Sequence, residues 1–437
     1  MSFAIGKKTQ IKNMIFAYLP YFAQIISTII LTPIYVNTFG AEKYAIFVIL
    51  HSIIGYFMLS NIGLPQAFTR QIIHLKEKNE TQKINDILNS ILFYYSLVIF
   101  AVLGINSVLF YGNLFGISGF LLNSQNEEFI HIFGLGMFLV SIKFAINLTT
   151  DIFQSLIDST NRLDISNFIR FLQVSFLAIG SFVALKIFGT IEAVIISNII
   201  TSAFVFIVMI IFSKKSFDFK IDLSSAKLAH FKDILPSSFW YFMGAITVAI
   251  ITQIDTLVIS TILGLSFVTV YSLMFKFSEV FRNLISTAVN VFFTQIAYKH
   301  SKNELQDISK QFNKFFMIIA CLAFCVGFLL YFIGYDLFVL WIGKQNAGSI
   351  DLFFWFVLYL ILFSINQVAT LFISAINKHK SIVIVGFVQA ALNLILSITT
   401  LQIFADIKWV IISTIISLLL TNFWYNIFYF KKTIKCM

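Results

Sequence analysis

Lys276, Glu279 and Arg282 recur at three-residue spacing inside an otherwise apolar stretch. On a helix this spacing puts Glu279 within reach of both bases, and the trio keeps one net positive charge. Ionisable side chains near a membrane midplane face a cavity, water or each other, and so mark substrate and ion pathways. Two readings follow: an intrahelical salt bridge that only lets the helix insert, or a cationic cavity that binds an anionic group or exchanges ions. Asp255, in Gln253-Ile254-Asp255, has no basic residue within four positions. Its carboxylate therefore needs a partner from another helix, water or a proton, which suits either coupling to an ion or a structural interhelical hydrogen bond. Lys143 and Asp151, two turns apart, could share a water-filled face, or Lys143 could snorkel to the interface. Arg70 and Arg170 fall close to an interface, where they either anchor headgroups or add positive charge to a pathway.

These residues need elements that hold them in lipid. The chain of 437 residues is 59% hydrophobic with 53 Phe, only 11% charged, and has a mean hydropathy of +0.91. That is more apolar surface than a water-soluble core can bury. Helices and closed barrels are the structures that satisfy every backbone group in hydrocarbon, and apolar runs of about 20 residues select helices. Spans are expected near 14–34, 44–69, 88–111, 129–150, 165–187, 192–213, 234–263, 267–297, 313–335, 350–376, 381–403 and 408–430, twelve in all. The fold class is an all-α polytopic membrane protein.

Sidedness comes from the bases, because cytoplasmic loops retain Lys and Arg. Of the 30 Lys and Arg, 22 fall at the termini and on every second connection, whereas Lys43, Lys186, Lys344 and Lys408 alone lie on the other side. Both termini are expected to be cytoplasmic. The link 214–233 divides the spans six and six, giving an N-terminal bundle 1–213 and a C-terminal bundle 234–437. Two such halves would be related by a pseudo-two-fold axis along the membrane normal and would leave a cleft suited to alternating access. Short matches support a repeat: Thr38-Phe39-Gly40, Phe68-Thr69 and Lys78-Asn79-Glu80 in the first half, and Leu263-Gly264, Phe293-Thr294 and Lys302-Asn303-Glu304 in the second, with Tyr44 and Tyr271 after the glycines.

Several functions are disfavoured. The net charge of +10 is dispersed over short loops, which speaks for topology and lipid contact rather than nucleic acid. No ATP phosphate loop, HExxH or Gly-x-Ser-x-Gly elbow is present. Cys321, Cys325 and Cys436 form no zinc spacing, and the first two, four apart, read as small packing residues. No cofactor or metal is expected, and no covalent catalysis. Lys7, Lys8 and Lys12 precede a run expected to be a retained first helix. Pro20, Pro33, Pro65 and Pro236 all lie in or at the ends of spans, where each permits a kink.

The first 80 residues, with Pro33, Gly40, Tyr44, Asn61-Ile62-Gly63-Leu64 and Arg70, together with Gln253-Ile254-Asp255, Gly264 and Tyr271, resemble Wzx-type polysaccharide flippases of the multidrug/oligosaccharidyl-lipid/polysaccharide (MOP) exporter superfamily. The resemblance implies export of an undecaprenyl-pyrophosphate-linked O-antigen or capsule repeat unit across a bacterial inner membrane, by alternating access and commonly with ion antiport. The partners implied are that lipid-linked oligosaccharide, membrane lipids and other polysaccharide-assembly proteins. Lys276, Arg282, Arg70, Arg170 and Lys143 would then supply positive charge for the substrate, with Asp255 and Glu279 as ion-coupling candidates. Asn61-Ile62 stands where the family often has Asp before Gly-Leu, so ion coupling is not expected at that point. A cation-coupled multidrug exporter of the same superfamily is the alternative, disfavoured because the spans carry more buried base than acid. An integral-membrane polymerase or ligase is a second alternative, disfavoured by outer connections of about 15 residues, too short for an external domain. A purely structural scaffold would leave Asp255, Lys276, Glu279 and Arg282 unexplained.

Overall fold

The computed structural model describes residues 7–78, 80–112, 117–160, 162–217, 219–222, 226, 228–290, 292, 296, 299–300, 302, 304–376 and 378–436. Among them there is no strand. The helices are α1 (Lys7–Phe39), α2 (Ala41–Phe57), α3 (Leu64–Glu77), α4 (Thr81–Gly112), α5 (Ile117–Leu122), α6 (Glu127–Asp158), α7 (Leu163–Ile187), α8 (Ile191–Ser216), α9 (Leu228–Leu263), α10 (Leu265–Asn290), α11 (Leu305–Leu329), α12 (Tyr335–Ile342), α13 (Ile350–Ala375), α14 (His379–Phe404), α15 (Lys408–Leu418) and α16 (Trp424–Cys436). Among the described residues, eleven segments are long and apolar enough to cross a membrane. The twelfth expected span corresponds to α10, which is 26 residues long but carries Lys276, Glu279 and Arg282. Side chains such as Phe100, Leu340 and Leu420 stand exposed, and so extensive an apolar surface is stable only in lipid. The chain is a multi-pass membrane protein.

The chain divides into two compact units, Met1–Ala245 and Ile246–Met437. In the first, α6 packs against α8, α4, α2 and α3, while α7 packs against α1 and α8. Its core includes Phe68, Leu88, Tyr95, Phe144, Phe153 and Leu156. The start of the link expected at 214–233 is fastened to this unit. Phe217 and Phe219 enter the same core, and the Asn89 amide donates to the Lys220 carbonyl at 3.1 Å and accepts from the Asp222 N–H at 2.9 Å. Lys227 of that segment lies outside the described residues.

In the second unit α13 packs against α11, α10, α15 and α16, and α14 packs against α15. Two spans contain π turns, Leu330–Gly334 between α11 and α12 and Leu419–Phe423 between α15 and α16. Through the first of these α11 continues into α12, so the connection expected at 336–349 shortens to 343–349. Cys321 and Cys325 are exposed on α11 rather than packed, because the face that carries them also carries exposed Leu322, Phe324 and Phe328.

The second expected span, 44–69, is a broken helix. α2 ends in a 3-10 turn, Met58–Asn61, after which Ile62 (φ 51°) and Gly63 (φ 66°) are both left-handed. The break has local causes: Asn61 Oδ1 accepts the Gly63 N–H at 2.8 Å, and Pro65 stands in the first turn of α3. The repeat pattern has a local counterpart in each unit. Gly40 (φ 76°) and Gly264 (φ 96°) both separate two helices. Lys78 and Glu80 both donate to the Leu75 carbonyl, and Lys302 and Glu304 both donate to the Lys299 carbonyl. Asn79, Phe293, Thr294 and Asn303 of the pattern lie outside the described residues.

Candidate functional site

The helical hairpin about Gly264 sets Asp255, nine residues before the turn, against Tyr271, seven after it. Tyr271 Oη donates to Asp255 Oδ2 at 2.6 Å. From α14, Asn393 Nδ2 donates to Oδ1 at 3.3 Å. From α15, the single Thr414 hydroxyl proton is shared among Asp255 Oδ2 at 3.4 Å, Asn393 Oδ1 at 3.1 Å and its own helix's Val410 carbonyl at 3.1 Å. Asp255 is 3% exposed. Among the described residues it has no salt-bridge partner. All its donors are neutral, so a negative charge here lacks compensation, and the site favours a proton or a cation beside the carboxylate.

Arg282 lies deeper along α10, 8% exposed. Its guanidinium stands over Phe363 at 4.6 Å, Phe275 at 5.0 Å and Tyr359 at 5.8 Å from the ring centroids. It donates to Tyr359 Oη at 3.2 Å. Glu279 approaches it at 3.8 Å, but the Glu279 side chain is 41% exposed. The pairing expected between Glu279 and Arg282 is made at this distance. A delocalised guanidinium suits such a place, because rings solvate its faces while its edge N–H groups stay aimed at an acceptor. Lys276, half-buried, lies on the same helix.

The two clusters are joined within this unit. Tyr271, bonded to Asp255, stacks on Phe275 with centroids 6.4 Å apart, and Phe275 lies under Arg282. Adjoining contacts thus run from Asp255 to Arg282 through Tyr271 and Phe275.

The remaining expected residues lie on other elements. Arg70, on α3, is exposed with its guanidinium 5.4 Å from the Tyr241 ring centroid. Arg170, on α7, is exposed, and Lys143, on α6, is half-buried. Among the described residues no ion pair joins Lys143 to Asp151; the shared face expected of them is not paired. Tyr271, Asn393, Thr414, Tyr359, Phe275 and Phe363 were not legible as site residues. Asn393 and Thr414 are polar residues in apolar spans, which is the one signal they offered. No group of three or more His, Cys, Asp or Glu is placed to hold a metal among the described residues.

Residues 11–294 match the family described as "Polysaccharide biosynthesis protein". An uncharacterized membrane protein of Bacillus subtilis strain 168, EpsK, is 23% identical over 378 residues, covering 84% of this chain and 72% of that protein. Among solved structures, an inward-facing multidrug resistance MATE family transporter of the MOP superfamily superposes with a TM-score of 0.74 at 12% identity, covering 96% of this chain and 95% of that one. The lipid II flippase MurJ, in an inward closed conformation, also gives a TM-score of 0.74, at 18% identity, covering 95% of this chain and 87% of that one. The two-bundle fold of MOP transporters is thus the fold of this chain.

Proposed function

We propose, from the premise that this chain belongs to the polysaccharide biosynthesis protein family, that it flips a lipid-linked oligosaccharide from the cytoplasmic to the outer leaflet of a bacterial cytoplasmic membrane. The cargo in this reading is an O-antigen or capsule repeat unit on undecaprenyl pyrophosphate, and the two bundles expose its site alternately to each side. The observation that supports it best is Arg282. It is buried among three aromatic rings, and one half-exposed carboxylate answers it at 3.8 Å. With Lys276 on the same helix, α10 retains positive charge for a pyrophosphate or an acidic sugar. Arg70, Arg170 and Lys143 are further candidates for that task.

Asp255 is the coupling carboxylate in this proposal, with Glu279 as a second candidate. Uptake of a proton or cation at Asp255 changes its bond from Tyr271, and Tyr271 stacks on the Phe275 ring that lies under Arg282. Binding at one cluster thereby shifts the other, which is what coupling requires. A multidrug exporter of the same superfamily is the second reading, because a MATE transporter shares the fold. It ranks lower because cationic drugs favour acidic cavities, and α10 carries two bases against one acid.

The test is deletion in the native bacterium, with complementation by wild type or by Arg282→Ala. Loss of surface glycan with build-up of lipid-linked repeat units on the cytoplasmic face, restored by wild type alone, is expected. Unchanged glycan with altered drug sensitivity would move the chain to the multidrug reading.

A further inference from the structure

Beyond the Asp255 network, toward the end of the second unit where α14 begins and α16 finishes, the bundle interior stays polar. Gln389, one turn from Asn393 on α14 and 4% exposed, accepts from Asn422 Nδ2 at 2.5 Å. Asn422 belongs to the π turn Leu419–Phe423. One turn further, Asn426 is fully buried and donates to Asn366 Oδ1 at 3.2 Å and Thr370 Oγ1 at 3.3 Å, both on α13. At the helical rise, Asn422 lies about 12 Å beyond Thr414, and Asn426 about 6 Å beyond Asn422. The polar groups thus form a file that starts at Asp255 and runs along the inside of one bundle.

Its hydrogen bonding is not closed. Asn422 Oδ1 and Asn426 Oδ1 are both shielded from solvent, and neither accepts a hydrogen bond from the described residues. Most buried acceptors are satisfied, so two open carbonyl oxygens one turn apart on one strand of chain point to something that fills them. Interhelical glue alone needs only the Nδ2 contacts already made. The π turn adds a second mark, since such turns recur at functional sites, where the extra residue re-aims the side chains that follow.

Neutral amide and hydroxyl oxygens spaced along a buried file replace the hydration shell of a monovalent cation. They do not titrate, so they carry no proton from one to the next. We propose that Gln389, Asn422 and Asn426 form a second station for a partly dehydrated monovalent cation on its way between Asp255 and the end of the bundle we read as cytoplasmic. This rests on the coupling role proposed for Asp255.

Sodium serves as the probe. Full-length protein is reconstituted in liposomes, and both equilibrium radiosodium binding and its rate of release are measured for wild type, Asp255→Asn, Asn422→Leu, Asn426→Leu and Asn426→Ser. Wild type should bind and release sodium, and Asp255→Asn should bind none. Both leucine variants should retain binding within about twofold yet release about tenfold more slowly, and Asn426→Ser, which returns an oxygen, should recover most of the rate. Wild-type release rates in both leucine variants would overturn the station while leaving coupling at Asp255 intact. If the leucine variants misfold, wild-type rates in a second set, Asn422→Val and Gln389→Leu, would overturn it too. Transport driven by protons with no sodium movement also sinks the station, and absence of any ion movement in wild type removes the coupling reading along with it.

Discussion

At the scale of single residues, two buried charges use different means of solvation. Arg282 relies on three ring faces and one hydroxyl, Asp255 on three neutral donors. Because the carboxylate nearest Arg282 is half-exposed, removing the guanidinium strands no buried anion. Arg282→Ala is therefore expected to leave the amount of protein in the membrane near wild type while glycan export falls about tenfold or more, as for loss of a charge-assisted contact. Arg282→Lys is not expected to rescue, since an ammonium has no planar face to lie on Phe275 and Phe363; full activity in the lysine variant would mean that charge alone suffices. Asn393→Leu takes from Asp255 Oδ1 the one donor that the described residues supply. It should cost about 1–3 kcal/mol, read as a lower melting temperature in detergent, and an unchanged transition would show the Asn393 contact to be dispensable. Both charges stand out in the sequence because any ionisable residue in an apolar run is conspicuous. Their partners did not, since Tyr271, Asn393 and Thr414 lie 16, 138 and 159 positions from Asp255.

At the scale of elements, the interruption between α2 and α3 differs most from the expected continuous span. Two successive left-handed residues, one of them the β-branched Ile62, are costly in isolation and persist where packing over-determines them. That packing comes from the first part of α9: a Cβ on Gly63 would stand 2.6 Å from Tyr241 Cβ and 2.8 Å from the Ser238 carbonyl oxygen. Gly63→Ala meets both the backbone strain and this contact, and should lower stability by about 1–3 kcal/mol, seen as reduced folded yield and an earlier thermal transition. A silent Gly63→Ala would contradict the close approach of α9. The residues Asn61-Ile62-Gly63-Leu64 and Pro65 were visible, but hydropathy averaged over a span runs through them unbroken. The π turns were invisible for the same reason, because a single inserted residue leaves composition unchanged.

At the scale of the whole molecule, eleven strongly apolar segments and one charged helix among the described residues correspond to the twelve spans expected from hydropathy. The basic loops predict which side each connection faces. In a background with the native cysteines replaced by alanine, Lys344→Cys should react with a membrane-impermeant maleimide added outside intact cells, and Lys214→Cys only after permeabilisation; the reverse pattern would invert the topology. Two of the four lysines expected on the outer side pair with acids, Lys43 with Glu128 and Lys408 with Asp351 and Asp406. Residue types alone determined that lipid is the solvent, that the chain is helical and roughly how many times it crosses, because these are sums over one continuous segment. Tertiary structure alone decided that Asp255 is ringed by neutral donors, that Arg282 is boxed by Phe275, Tyr359 and Phe363, that the second span breaks, and that Asn422 and Asn426 leave oxygens open. Each of those depends on which faces of separate helices meet, and helix packing is set by contacts between distant positions that no local window contains.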